Sequence, residues 1–453
     1  MLMREGQSLR TIPAIAMAGI FLVLGGCATY SQSFRAVERN LLKNDPTGAL
    51  QALEKQPRSS RDQFLYVCNK AMLLRMLGKF KQSNEEIKKA KAIVQKYSAI
   101  SVSEQTSSFI INDATRTYIG SPVEQIMLNV YAALNYLQMN DLNGARVEIL
   151  QEDIRLRALM QDDPDSPLSV DPFARYLSGI IYEDLGEWSD AMIAYRKAYQ
   201  AYQKHAALYG IAIPQQLKRS LIRMADKVGL YNERRKYEQE FDLHLANLQK
   251  GIQNTSELVF IFNNGLAPIK RESSVQVIEP KSGHMIRISL PYYEKRNTPV
   301  AYARLYLQSV RPHLKNVPKL VTKTEKVEDI SSLEIETLKS QMAAITARAL
   351  ARAVAKDKLS DEASQRNGLA GLIVNIAGVL TERADTRSWL TLPAQIQCAR
   401  LKAPAGLYSA HVELLDHNNN IVLRRNLGKI KLTTGHNDYL SFRWTSIEAT
   451  TRN

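Results

Sequence analysis

The side chains able to carry acid–base, nucleophilic or metal chemistry are few and scattered. The seven histidines stand at 205, 244, 284, 313, 411, 417 and 436, and none falls into the helical His-Glu-x-x-His spacing that binds a catalytic zinc. His411 and His417 flank Asp416 and could share a metal, but no thiolate or fixed carboxylate at ligand spacing joins them, so a solvated hairpin is expected. No nucleophile elbow, phosphate-cradling glycine loop or dinucleotide fingerprint occurs in the chain. Cys68 and Cys398 lie 330 residues apart, each amid apolar neighbours. Two separately buried thiols are the expectation, with a disulfide in an oxidising compartment as the alternative. The chain is therefore expected to have no catalytic residue, no metal and no cofactor, and to be no enzyme. Two segments have the composition of recognition instead. Asn264–Glu272 gathers a turn, Pro268, Lys270 and Arg271, and Ala384–Pro393 carries Asp385, Arg387 and Trp389. Arg and Trp dominate interface energetics, so these five residues are candidates for recognising a protein or a glycan. In the competing reading Asp385 caps local amides or pairs with Arg387, while Trp389 anchors the turn in the core.

At 453 residues the chain is long enough for two or three cooperative units, and 45% hydrophobic with 23% charged residues is a globular balance. It opens with Arg4 and Arg10, then an apolar run from Ile12 to Gly26, too short to span a bilayer comfortably and suited to a secretion signal. That run ends in Leu24-Gly25-Gly26-Cys27, which resembles the lipobox of bacterial lipoproteins. The resemblance implies removal of residues 1–26, lipidation of Cys27 with palmitate-type chains, and effectively permanent anchoring, since two or more acyl chains hold firmly. Ala28 after the cysteine, instead of an aspartate, implies the outer membrane, with the protein facing the periplasm. The net charge is +15, and residues 251–453 hold 28 Lys and Arg against 18 Asp and Glu. A secreted setting excludes nucleic acid as the partner. The basic surplus then serves solubility, or attracts anionic lipid or the carboxylates of peptidoglycan.

The elements that must position these residues divide into two halves. From residue 34 to about 250 apolar positions recur with helical period. Gly179, Tyr182, Leu185-Gly186-Glu187-Trp188, Ala191, Tyr195 and Ala198 have spacings that resemble the tetratricopeptide repeat, and Leu77-Gly78-Lys79-Phe80 with Ser83, Ile87 and Ala90 reads as a second copy. Small residues at 179 and 191 would let helices approach, with Trp188 and Tyr195 filling the gap between hairpins. The repeats imply a stacked α-α superhelix whose concave face, lined by Asn129, Ala133, Tyr136, Arg175 and Tyr182, takes a partner protein. Closure of the basic C-terminal half over that groove is the alternative.

After Gly251 the period shifts toward two, with strands expected at 258–262, 286–290, 300–307 and 320–322, helices at 331–358 and 361–382, and further strands from 394 to 444. The expected fold is α+β and multidomain: a helical solenoid over 27–250, a β-rich region over 251–330, a helical insertion over 331–383 and a terminal antiparallel, sandwich-like region over 384–453. The lipobox, the repeats, Tyr136-Leu137, Gly144–Glu148 and the two polar segments together resemble an uncharacterised family of tetratricopeptide-type outer-membrane lipoproteins of proteobacteria. That resemblance brings no activity. It implies a gene neighbourhood with lipoproteins that activate penicillin-binding proteins, hence a non-enzymatic scaffold of the cell envelope with a link to peptidoglycan synthesis. A peptidoglycan-associated tether or an envelope hydrolase is the rival.

Overall fold

A computed structural model describes residues 30–103, 116–162, 171–248, 255–280, 283–310, 319–366 and 368–447. Cys27 and the signal segment expected over residues 1–26 lie outside the described residues. The fold is mixed helix and sheet.

The first half is helical: α1 (Arg35–Leu42), α2 (Pro46–Glu54), α3 (Gln63–Met76), α4 (Phe80–Ser103), α5 (Pro122–Gln138), α6 (Leu142–Asp162), α7 (Pro172–Leu185), α8 (Trp188–Tyr209), α9 (Gln215–Lys227) and α10 (Tyr231–Phe241). Three of them open on a capping side chain followed by proline. Asp45 accepts from the Gly48 amide, Asp171 from the Ala174 amide, and Ser121 forms a reciprocal capping box with Glu124. Proline at the first helical position loses no hydrogen bond, because that amide has no helical acceptor. From α3 onward each helix packs chiefly on its neighbours in sequence. Gly179 is what lets α7 and α8 approach: a Cβ there would stand 2.3 Å from the Tyr195 ring. Tyr195 fills the space between helices as expected, but Trp188 does not; it lies at the surface with Lys227 Nζ 5.0 Å from its ring.

The second half holds β1 (Thr255–Asn264), β2 (Ile269–Ile278), β3 (Met285–Glu294), β4 (Tyr302–Ser309), β5 (Leu320–Lys323), β6 (Glu325–Glu328), α11 (Ile330–Arg366), α12 (Gly368–Thr381), β7 (Gln395–Pro404), β8 (Gly406–Leu415), β9 (Ile421–Leu432) and β10 (Asn437–Trp444). Two four-stranded sheets, ordered β10-β1-β7-β6 and β5-β4-β8-β9, pack face to face around Phe260, Phe262, Leu305, Leu307, Val412 and Leu414. Both sheets mix strands from before and after the two helices. The segments 251–330 and 384–453, separated in the sequence-based division, therefore build one sandwich. Nor is it wholly antiparallel, because β1 and β10 run parallel. The strands β2 and β6 were not anticipated, and β2 pairs with β3 alone as a separate hairpin. Among the described residues no helix is long and apolar enough to cross a membrane.

Candidate functional site

Alternation along β1 fixes how the halves meet. Leu258, Phe260 and Phe262 point into the sandwich, whereas Val259 and Ile261 belong to the core that the helices build. Val327, Ile396, Cys398 and Tyr439 join that second face, so the sheet β10-β1-β7-β6 is buried on both sides. Polar contacts pin the joint. The Tyr131 hydroxyl donates to Asn263 Oδ1 at 2.9 Å, the Tyr202 hydroxyl donates to the Val327 carbonyl at 2.8 Å, and Asp184 accepts from the Asn437 amide and the Tyr439 hydroxyl. At the centre Arg400, on β7, has a fully buried side chain that pairs with Glu183 of α7 at 3.0 Å and with Glu257 of β1. It also donates to the Tyr195 hydroxyl and to Ser220 Oγ. Burial alone would raise the Glu183 carboxyl, but Arg223 and Arg400 bring it down to about 2.

This arrangement corrects the open-groove expectation. Asn129 and Ala133 are buried on α5, and Tyr136 is half-buried against the α5–α6 turn, where a Cβ on Gly144 would stand 2.5 Å from its ring. Arg175 and Tyr182 are half-buried on α7, Arg175 beside the buried carboxyl of Glu152. The inner face of the stack is covered by the chain's own sheet, because the alternate apolar residues of β1 and β7 complete its core. Charge alone would not close it; exposed pairs contribute about 0 to 1 kcal/mol each.

Three of the five C-terminal candidates are spent at the same joint, while Lys270 and Arg271 make their contacts within the β2–β3 hairpin. Trp389 is buried, its amide donates to Glu124 Oε1 at 2.6 Å, and its indole N–H donates to Thr391. Arg387 pairs with Asp385 and Asp62 and lies 5.0 Å from the Tyr118 ring centre. Lys270 Nζ is 5.1 Å from the Tyr293 ring centre, and Arg271 pairs with Glu294. Asp385, Arg387 and Trp389 thus strap the sandwich to the helices, and the anchoring alternative describes them. Sequence reasoning missed Glu124 and Glu334, buried in one cluster with Tyr118, Ser121 and Tyr293. The Tyr118 hydroxyl donates to Glu124 at 2.9 Å, and Ser121 and Tyr293 donate to Glu334 at 2.9 and 2.7 Å. Burial, then the neighbouring Glu334 carboxylate, push Glu124 up to about 8. The capping pattern Ser121-x-x-Glu124 was readable in the sequence, but the partner lies 210 residues away, beyond any spacing rule.

Cys68 and Cys398 are both free and buried, which raises their pKa values, Cys398 to about 12, and makes them poor nucleophiles. His411 Nε2 faces Ser409 Oγ at 2.9 Å and does not meet His417 in a ligand cluster. The described group with ligand types is His284, Asp357 and Asp361, where Nδ1 lies 3.0 and 3.4 Å from the two carboxylates, distances that an ordinary hydrogen-bonded imidazole explains. Two open clefts flank the end of the sandwich. One of about 520 Å³ is lined by Lys295, Asn297, Gln395 and His417, and one of about 530 Å³ by Pro214, Gln215, Glu325 and Lys323. Their carboxylates are already held, Asp329 by Lys326 and Glu325 by the Gln215 amide.

No family model matches the chain, and no curated protein sequence matches it. Among solved structures, the apo form of RapI is similar over 50% of this chain and 57% of its own length, at 12% identity and a TM-score of 0.35. The chain thus spans little more than half of RapI. A structure titled MamA MSR-1 C2 is similar over 46% of this chain and 92% of its own, at 11% identity and a TM-score of 0.29. MamA 41-end from Desulfovibrio magneticus RS-1 gives 49%, 97%, 13% and 0.29. At these scores the likeness carries no argument.

Proposed function

We propose that the chain is a lipid-anchored, non-enzymatic scaffold of the bacterial outer membrane, facing the periplasm, that binds a partner protein through the outer surface of a tetratricopeptide-type helical stack. The observation that carries the binding role is on α6. Its inward face buries Ala145, Ile149 and Leu156, yet Val147, Leu150 and Ile154 stand 41 to 64% exposed on the opposite side. Spacing of i, i+3 and i+7 makes them one stripe, the form in which a helix presents apolar anchors. Trp188 and Ile193 on α8 and Tyr231 on α10 are exposed as well. The sequence Leu24–Cys27 supports the anchor, and the link to peptidoglycan synthesis rests on the family resemblance alone. The basic surplus of residues 251–453 favours the carboxylates of peptidoglycan as a second ligand.

Two measurements test this reading. Cys27→Ala should abolish metabolic labelling with palmitate, and labelling equal to wild type defeats the anchor. Val147→Glu combined with Ile154→Glu should abolish capture of the envelope partner while the urea midpoint stays within error, since both side chains lie outside the core. Undiminished capture removes the outer face from the proposal. Sedimentation of the protein with purified sacculi, weakened by salt, would support the second ligand.

A further inference from the structure

The hairpin β2–β3 and the helices α11 and α12 form an arm whose polarity is inverted. Register places Ser273, Val275 and Val277 with Leu290, Ile288 and Ile286 on one face, and Glu272, Ser274 and Gln276 with Pro291, Ser289 and Arg287 on the other. The β3 part of the second face packs on the helices, while Ser274 and Gln276 of β2 stay exposed and Ile278 and Met285 end that face as exposed apolar residues. Ser289 is buried and donates to the Glu382 carbonyl, Arg287 pairs with Glu272, and Asn375 of α12 exchanges two hydrogen bonds with the Met285 backbone. Behind it Arg352 and Lys356 pair with Glu382, whose side chain is 2% exposed. The aliphatic face looks outward, with Val275 62% exposed. Inversion recurs on α12, a 14-residue helix without a charge. Gly371 and Asn375 turn inward, whereas Leu372, Ile373 and Ile376 are exposed. Leu350, Val354 and Leu359 of α11 extend the outward aliphatic surface.

We infer that this arm is a lipid-contacting element that seats its aliphatic outer surface in the interfacial region of an anionic bilayer. A water-facing domain hides apolar groups and hydrates polar ones; the arm pairs Glu272, Arg287, Arg352, Lys356 and Glu382 internally and shows aliphatic side chains, an arrangement suited to a medium of low dielectric. Aliphatic side chains are exposed on both the hairpin layer and the helical layer. Arg348, Lys358 and Arg366 are exposed along the same helix, with Glu362 the one exposed acid between them, and this basic excess matches anionic headgroups. Depth is limited. Among the described residues neither β2 nor β3 pairs with a third strand, and bare strand edges do not enter hydrocarbon, so the arm lies at the interface rather than across it. This inference rests on the arm and is independent of lipid on Cys27.

The test places an environment-sensitive fluorophore on a cysteine introduced at Val277 or Ile373, with Val422, an exposed aliphatic residue on the sandwich, as the control. The full-length chain is used in wild-type and Cys27→Ala backgrounds, with vesicles of phosphatidylethanolamine and phosphatidylglycerol that carry nitroxide-labelled acyl chains. Probes at 277 and 373 should shift to the blue and be quenched about twofold or more beyond the probe at 422, in both backgrounds, and the effect should weaken in pure phosphatidylcholine. Equal quenching at all three positions on vesicle-bound protein overturns the inference. So does a blue shift in lipid-free solution that grows with protein concentration, which would assign the surface to a second copy. Loss of vesicle association in the Cys27→Ala background also overturns the arm as an element that seats itself in the bilayer, since the anchor alone would then hold the protein to the vesicle.

Discussion

Arg400→Met tests whether the helices and the sandwich form one cooperative body. The guanidinium bridges Glu257 of β1 and Glu183 of α7, and it also satisfies Tyr195 and Ser220. Methionine keeps most of the volume but leaves Glu257 without its buried counter-charge and Glu183 with Arg223 alone, 2.8 Å away. Breaking a buried pair in this way costs about 3 to 5 kcal/mol, a large part of the ~5 to 15 kcal/mol that separates folded from unfolded chains. Urea unfolding followed by far-ultraviolet circular dichroism, which reports the helices, and by tryptophan fluorescence, which includes Trp389 at the joint, should show both transitions moving down together. Adding Glu257→Gln should restore part of the loss, because the stranded charge is then removed. There is also an acid signature. The lowered Glu183 carboxyl contributes stability that is present above its ordinary 4.5 and lost as pH falls toward about 2. That acid dependence should shrink in Arg400→Met. A loss below about 1 kcal/mol, or a shift of the fluorescence transition while the helical one stays, would refute the single body.

Glu124→Gln should flatten the pH dependence of stability, because the native Glu124 keeps a proton up to about pH 8 that the unfolded chain releases above about 4.5. The wild type therefore loses stability as pH rises through that window and levels off beyond it, and urea midpoints at pH 5 and pH 8 would show the variant gaining relative to it toward the alkaline side. Gly179→Ala should destabilise by about 1 to 3 kcal/mol, measured the same way, since the added methyl would overlap the buried Tyr195 ring. Trp389→Ala should cost about 3 to 5 kcal/mol, as removal of a buried indole does. Trp188→Ala, at a 38% exposed side chain, should cost far less. Cys68 and Cys398 should resist a thiol reagent in the native protein and react once urea unfolds it, because both sulfurs are buried.

Much of the architecture was legible because local chemistry decides it. Cap-proline pairs at 45–46, 121–122 and 171–172 and the small residue at Gly179 announce helices and their close packing. Period-two runs such as Leu258–Phe262 announce strands, but alternation with both sets apolar also meant a sheet buried on two faces, and that second face is what fills the helical stack. Pairings across the two inserted helices, such as the parallel β1 and β10, have no local signal. For the same reason the hairpin strand β2 escaped notice: Lys270-Arg271-Glu272-Ser273-Ser274 reads as polar loop until its register with β3 is seen. Arg387 and Trp389 were singled out for the right chemistry, an aromatic and a guanidinium that anchor a contact, but the contact is between two parts of one chain.

The closed inner face and the exposed stripe on α6 are tested most directly by photo-crosslinking in intact envelopes from two positions, Asn129 and Ile154, each replaced by a benzophenone-bearing residue. Asn129 is 6% exposed against the chain's own core, and Ile154 is 64% exposed on the outer side of the stack. A partner adduct of increased mass should form from position 154, while position 129 should yield only internal crosslinks. Partner adducts from 129 with none from 154 would mean that the groove opens in the cell and that the outer face is not where this protein binds.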